Sequence, residues 1–291
     1  MTTEVILTGT GVPHPAPGRA GAGTLVRTAH VAVQVDAGRA TSLRLAEAGT
    51  HPARLDALFL THVHSDHVHD VPDLTMTRWL SQKIQATGPL PIVAPDGPTA
   101  RFVRRMLAAF DDDIAARMAN ADTAPPQVNL TVFPVEPTPR QVWHSADGTV
   151  TVDAVQVHHG PVTGAVAYRV RTPDGTVVIS GDTIVCDEVA DLAAGADLLV
   201  HEACRATALA SYLAGTALEA IAKIARYHAD TVALGALADR AGVGHLVLTH
   251  LAPPPQDAAG AAAFEADTRR GGYRGPVTVG EDLTRIALGS P

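Results

Sequence analysis

Thr61-His62-Val63-His64-Ser65-Asp66-His67 places three imidazoles and a carboxylate within six residues, directly after the apolar run Leu58-Phe59-Leu60. Such a run reads as a buried strand, and the polar burst after it as a loop at the strand's C-terminal end. Open α/β sheets gather their ligands there. Neutral imidazole nitrogens and carboxylate oxygens suit divalent ions of borderline or hard character, and zinc is the commonest host for several histidines. Alternating His62 and His64 point one way from an extended segment, which leaves Asp66 and His67 to face a second point nearby. The spacing suggests two ions.

His-x-His-x-Asp-His, here His62, His64, Asp66 and His67, is the signature of the metallo-β-lactamase fold, and the chain resembles that superfamily. The resemblance implies an α/β architecture, an αββα sandwich of two facing mixed β-sheets flanked by helices. It also implies three further ligands, matched by His159 in Val157-His158-His159-Gly160, Asp182 in Ile179-Ser180-Gly181-Asp182-Thr183, and His250 in Leu248-Thr249-His250. Strand alternation puts Val155, Val157 and His159 on one face and His158 on the other. The ligand is assigned to His159, beside Gly160 as in the family's motif. By the same resemblance one ion takes His62, His64 and His159, the other takes Asp66, His67 and His250, and Asp182 bridges them. His228-Ala229-Asp230 resembles the extra motif of the ribonuclease Z-like branch, with Glu202 of His201-Glu202-Ala203 as the partner that would orient His228. The family has Ser or Thr where this chain has Asp230. The likeness runs over residues 7–288, and the whole length, 1–291, is expected to form one domain.

Composition sets the outer limits. Apolar residues make up 46% of the 291, enough to fill a large core, while aromatics at 4% leave that core to Ala, Val and Leu. The formal net charge is −8 with no basic run, which argues against a long polyanion as partner because backbone binding needs clustered Lys and Arg. Two cysteines, Cys186 and Cys204, do not make a disulfide scaffold. No apolar stretch approaches the roughly 18 residues of a spanning helix, and the first residues lack a secretory pattern. A cytoplasmic location follows as the expectation.

Between the motifs the chain alternates strands and helices. Residues 24–35 read as paired strands ending at Asp36-Ala37-Gly38, and Gly9-x-Gly11 lacks the following helix that a dinucleotide cradle requires. After Pro72, Met76, Leu80 and Ile84 are expected to form the buried stripe of a helix, widened by Trp79. Phe102, Met106 and Phe110 are expected on one side of a helix over 99–110. Pro173-Asp174-Gly175 joins a hairpin. Only 22 residues separate His159 from Asp182, room for that hairpin and little more. The long tRNA-gripping arm that ribonuclease Z enzymes carry in this interval is therefore not expected, and tRNA processing with it. Asp230 or Thr231 caps the next helix. Leu-Thr-His recurs at 60–62 and 248–250, an echo that fits two similar halves with the ligands at their seam.

The resemblance implies a dinuclear hydrolase. Two dications held roughly 3.5 to 4 Å apart need anionic oxygens between them, and a shared water there ionises near neutral pH. Asp66 would orient that hydroxide or take its proton, and His228 would serve as general acid. Charge counting leaves the site net positive, so a small anionic ester, either a phosphodiester or an aryl sulfate, is the expected substrate. The expected cofactors are two divalent ions, zinc with manganese admitted. The expected partners are a small anionic molecule, no long nucleic acid and no membrane, with a homodimer admitted. A lactonase or thioesterase on the same hydroxide is the alternative within enzymes; a non-catalytic metal-binding protein is the alternative outside them.

Overall fold

Two seven-stranded sheets face each other, each antiparallel over one part and parallel over the rest. The computed structural model describes residues 2–85, 87–121, 123–213 and 215–289. The first sheet is built from β1 (Glu4–Gly9), β2 (Gly23–Arg27), β3 (Ala32–Val35), β4 (Ala57–Phe59), β5 (Pro91–Pro95) and β6 (Asn129–Phe133). The second uses β7 (Arg140–His144), β8 (Thr151–Gln156), β9 (Val166–Thr172), β10 (Gly175–Ile179), β11 (Leu198–Cys204), β12 (His245–Ala252) and β13 (Val277–Val279), and the last strand, β14 (Arg285–Ala287), returns to the first sheet beside β1. The parallel runs are β3 to β6 and β10 to β13. His62, His64, Asp66 and His67 follow β4, His159 follows β8, Asp182 follows β10 and His250 lies near the end of β12, whereas His228 stands in the loop after the helix Leu218–Ala225.

The interior between the sheets is aliphatic, as the composition requires. Val33, Val35, Phe59, Val170, Val177 and Val200 form one buried cluster drawn from both sheets, and Phe59 meets Tyr168 edge to face at 5.4 Å. Buried side chains of this kind contribute about 1.5–3 kcal/mol each. Tyr168 also donates its hydroxyl to the Leu60 carbonyl at 2.6 Å, and Val166 N–H donates to the Thr61 carbonyl at 3.1 Å. The second sheet thereby grips the loop that carries the opening motif. Helices cover both outer faces, among them Val71–Gln85 over the first sheet and Thr231–Arg240 and Ala258–Arg270 over the second.

Two expectations about helices fail. On Val71–Gln85, Met76 and Trp79 are buried as expected, but Leu80 is 45% and Ile84 86% exposed; the rest of the buried face is Val71, Leu74, Thr75 and Arg78. A four-residue spacing drifts about 40° per step around a helix of 3.6 residues per turn, so the line that starts at buried Met76 has left the sheet by Leu80 and Ile84. Arg78 is drawn inward because its guanidinium donates to the carbonyls of Pro52, Leu55 and Gly88. The helix expected over 99–110 is Pro98–Arg105 followed by a tighter turn Met106–Phe110, which buries Met106 and leaves Phe110 37% exposed. Among the described residues no helix is long and apolar enough to cross a membrane.

Candidate metal centre

All seven side chains singled out as ligands converge. His62, His64, His159 and Asp182 offer donor atoms within 4.8 Å of one another, as do Asp66, His67 and His250, and as do Asp182, His228 and His250. Asp182 ties the sets together. Its Oδ1 lies 3.2 Å from His67 Nε2, and its Oδ2 lies 3.5 Å from His250 Nε2, 3.7 Å from His159 Nε2 and 3.9 Å from His62 Nε2.

Backbone geometry explains how residues so far apart in sequence meet. Gly181 precedes Asp182 with φ +59°, and a Cβ there would stand 2.7 Å from Thr61; glycine lets the loop after β10 close on the loop after β4. His250 is placed by a β-bulge. Glu202 pairs with Thr249 and Ala203 with Leu251, so His250 is an extra residue in the β11–β12 ladder, with φ +44°. Alternation alone would send His250 to the helix-covered face with Leu246 and Leu248. The bulge gives that place to Leu251 and turns His250 to the site, the re-aiming that bulges near functional sites perform.

Hydrogen bonding fixes the ring protons. Asp36, absent from the sequence-based ligand set, accepts from Thr61 N–H (2.8 Å), from Thr61 Oγ1 (2.7 Å) and from His67 Nδ1 (2.8 Å). Since Thr61 Oγ1 spends its proton on Asp36, it can only accept from His62 Nδ1, 3.0 Å away. His159 Nδ1 donates to the Tyr227 carbonyl at 2.9 Å. His62 and His159, both lowered by burial, thus carry their proton on the outer nitrogen and present a bare Nε2 inward. Burial acts to lower His67 too, but it turns its Nε2 to Asp182, whose charge with that of Asp36 outweighs burial and raises the imidazole's pKa. Among the described residues His62 Nε2, His67 Nε2 and Asp182 Oδ1 are buried with no hydrogen-bond partner, and His64 Nδ1 and His159 Nε2 face each other at 3.1 Å. Buried polar atoms normally find partners. Inward lone pairs around carboxylates are a donor set made for divalent cations, and these residues fit such ions. Burial holds His62 well below its ordinary pKa. Burial also opposes the charge on Asp182, yet the surrounding His250, His67 and His62 keep its carboxyl well below the usual range.

At the edge of the cluster His228 Nδ1 donates to Glu202 Oε1 at 2.7 Å. Burial acts to lower His228, but the Glu202 carboxylate outweighs it and pushes the imidazole up to about 9. His201, the other member of that motif, turns away: its Nδ1 bonds the Glu202 carbonyl. Asp230 caps the following helix, accepting from Val232 and Ala233 N–H at 3.0 Å. His14 lines the cavity over the cluster, whereas Arg19 donates to Thr10 and Gly280 instead.

A domain described as Beta-lactamase superfamily domain matches residues 31–251, three-quarters of the chain. The chain belongs to the beta-lactamase superfamily. Within this superfamily it resembles a Mycobacterium bovis protein named Ribonuclease Z, 38% identical over 98% of both chains. The metallo-β-lactamase fold protein YhfI from Bacillus subtilis shares the fold with a TM-score of 0.69, 21% identity and coverage of 98% of this chain and 99% of that one. Human tRNase Z, short form, shares it with a TM-score of 0.64, 21% identity and the same coverage. The chain is therefore a metallo-β-lactamase-fold hydrolase of the ribonuclease Z-like branch, with a His/Asp cluster compatible with a divalent metal site.

This kinship overturns one expectation, that no long nucleic acid is a partner. The names ribonuclease Z and tRNase Z attach to superfamily members that match this one almost end to end. The −8 net charge misled because it sums a whole surface, whereas polyanion binding depends on charge near the site. Lys223 and Arg226, with His158, line a cavity of about 390 Å³ that shares Tyr227 with the cavity over the cluster. Their carboxylate neighbours are Glu219 on Lys223 and Glu188 on His158.

Asp36 carries a prediction of its own. One carboxylate fixes the tautomers of His62 and His67, which belong to different ligand sets, so Asp36→Asn is expected to weaken metal binding by about 10–100-fold, the usual cost of losing such a partner. Asparagine tolerates the φ of +57° at this position, so the variant should fold. Metal titration against a competing chelator reads the effect; unchanged affinity would remove Asp36 from the site.

Proposed function

We propose that this chain is a dinuclear metal-dependent phosphodiesterase that acts on RNA. The single observation that carries the reading is the ring of inward, unpartnered donors, His62 Nε2, His67 Nε2 and Asp182 Oδ1, beside a His228–Glu202 pair. The names of the relatives, Ribonuclease Z and tRNase Z, favour the phosphodiester half of the expected substrates and lend nothing to the sulfate ester.

In this reading His62, His64 and His159 hold one ion, Asp66, His67 and His250 the other, and Asp182 both. Bound there, divalent ions lower the pKa of water to near neutrality and offset charge on a phosphoryl oxygen. The remaining work belongs to the protein. Asp66 Oδ2, 3.1 Å from His250 Nε2, orients the attacking water and receives its proton. His228, with Nδ1 held by Glu202, delivers a proton from Nε2 to the departing oxygen. Burial of the cluster excludes competing water. RNA work and the absence of a spanning helix among the described residues fit a cytoplasmic enzyme.

Elemental analysis and a substrate panel test the reading: two ions per chain, with metal-dependent hydrolysis of bis(p-nitrophenyl) phosphate and of a tRNA precursor with a 3′ trailer. Hydrolysis of lactones or acyl thioesters instead would move the assignment to carbonyl esters, and stoichiometric metal with no turnover would leave a binding protein. Metal loading is also expected to raise thermal stability, by about 2.7 kcal/mol at a hundredfold excess over Kd. Calorimetry before and after chelation measures this, and an unchanged midpoint would count against a native ion site.

A further inference from the structure

The cavity over the cluster measures about 200 Å³, and its floor includes His64, Asp182, His228 and His250. Its walls are of another character: Pro13, Leu209, Tyr212, Ile224, Tyr227 and Pro253. We propose that this cavity is a nucleobase pocket, which takes the single unpaired base next to the scissile phosphate and holds it chiefly by stacking on Tyr212. The proposal rests on the phosphodiesterase reading above and names the part of the substrate that the site grips.

Continuity comes first. Because the floor is the reactive cluster itself, a group in the cavity is attached directly to the phosphate being cut. Size comes second. At about 200 Å³ the space is smaller than the roughly 300–1,000 Å³ of pockets that enclose whole drug-sized ligands. It admits one ring system and excludes a base pair, so the RNA must be single-stranded at the cut.

Wall chemistry comes third. Tyr227 is packed against His159 and His228 with ring centroids 5.3 and 4.9 Å apart, which fixes one aromatic wall. Tyr212, 38% exposed, supplies a second. Single-stranded RNA is gripped by such stacking surfaces, which accept any base because every base has a π-face. The polar groups on the walls are His14 and the two tyrosine hydroxyls, set among proline and aliphatic side chains, so stacking supplies most of the grip and base identity matters less than the presence of a base.

The test is equilibrium binding to the metal-loaded protein by titration calorimetry, independent of turnover. Adenosine 5′-monophosphate is expected to bind about 5- to 150-fold tighter than ribose 5-phosphate, the range of one base–aromatic stack, with uridine 5′-monophosphate close behind. In Tyr212→Ala that ratio should fall to near one, and Tyr212→Phe should restore it. The proposal is overturned if ribose 5-phosphate binds as tightly as the nucleotides, if neither binds, if Tyr212→Ala keeps the ratio, or if butyl phosphate outbinds them all, which would make this a pocket for an apolar chain. RNA cleavage without base-dependent binding would sink the pocket and leave the phosphodiesterase reading intact. Base-dependent binding without cleavage would do the reverse.

Discussion

Asp182→Asn is expected to lower turnover by about 10³-fold or more and to leave less than one ion per chain. Asparagine keeps the volume and loses the charge. Among the described residues Asp182 is the one whose two oxygens lie within 4 Å of nitrogens from both ligand sets, His67 and His250 on one side and His62 and His159 on the other. Without its charge, two dications would share a buried site with Asp66 as the only remaining carboxylate of the ligand set, and uncompensated buried charge is strongly destabilising. Losing several kcal/mol of such stabilisation corresponds to the stated factor. Elemental analysis and initial rates measure the two effects together; a variant with full metal and full rate would show that the carboxylate is a bystander.

His228→Ala should give the second large effect, a fall in kcat of about 10²–10⁴ for RNA with metal content retained. The size of the loss should depend on the leaving group. A nitrophenolate departs without a proton, so bis(p-nitrophenyl) phosphate should suffer far less than RNA, whose ribose oxygen needs one. Equal losses on both substrates would argue that His228 binds the phosphate rather than protonating the departing oxygen. Glu202→Gln separates positioning from proton transfer. A proton donor works while it is protonated, so activity falls as pH rises through its pKa. The Glu202 carboxylate raises that value, and its removal should move the falling limb to lower pH while leaving the rate at acid pH less affected. A limb that stays in place would remove Glu202 from this role.

The parts of the site legible in the sequence were those whose chemistry is local. His62, His64, Asp66 and His67 announce themselves by spacing, and Glu202 and His228 by their motifs; the structure puts the latter two 2.7 Å apart. Asp36 gave no such signal. It is a lone acid after a strand, and its partners Thr61 and His67 lie 25 and 31 residues away, so its role arises only from the pairing of β3 with β4. Its one visible hint is that it ends a buried apolar strand ahead of a glycine. The fold class was legible through the resemblance carried by His62, His64, Asp66 and His67, while runs such as Leu58-Phe59-Leu60, which cannot be left in water, marked only individual buried strands. The buried face of Val71–Gln85 was not, because side chains such as Arg78 are drawn inward by carbonyls that no periodicity reveals. Overall charge failed for the opposite reason: it is a global sum applied to a local question.

The unpaired residue at position 250 sets two demands against each other. Chemistry asks for an imidazole at a backbone angle that L-amino acids avoid, whereas the ladder alone would be served best by glycine. The backbone term shows once the imidazole and its bond to Asp66 are gone from both sides of a comparison: metal-free His250→Gly is expected to melt above His250→Ala, both being inert, and equal melting points would show that the kink is relaxed rather than strained. The histidine is kept at this codon for its chemistry and against the preference of its own backbone.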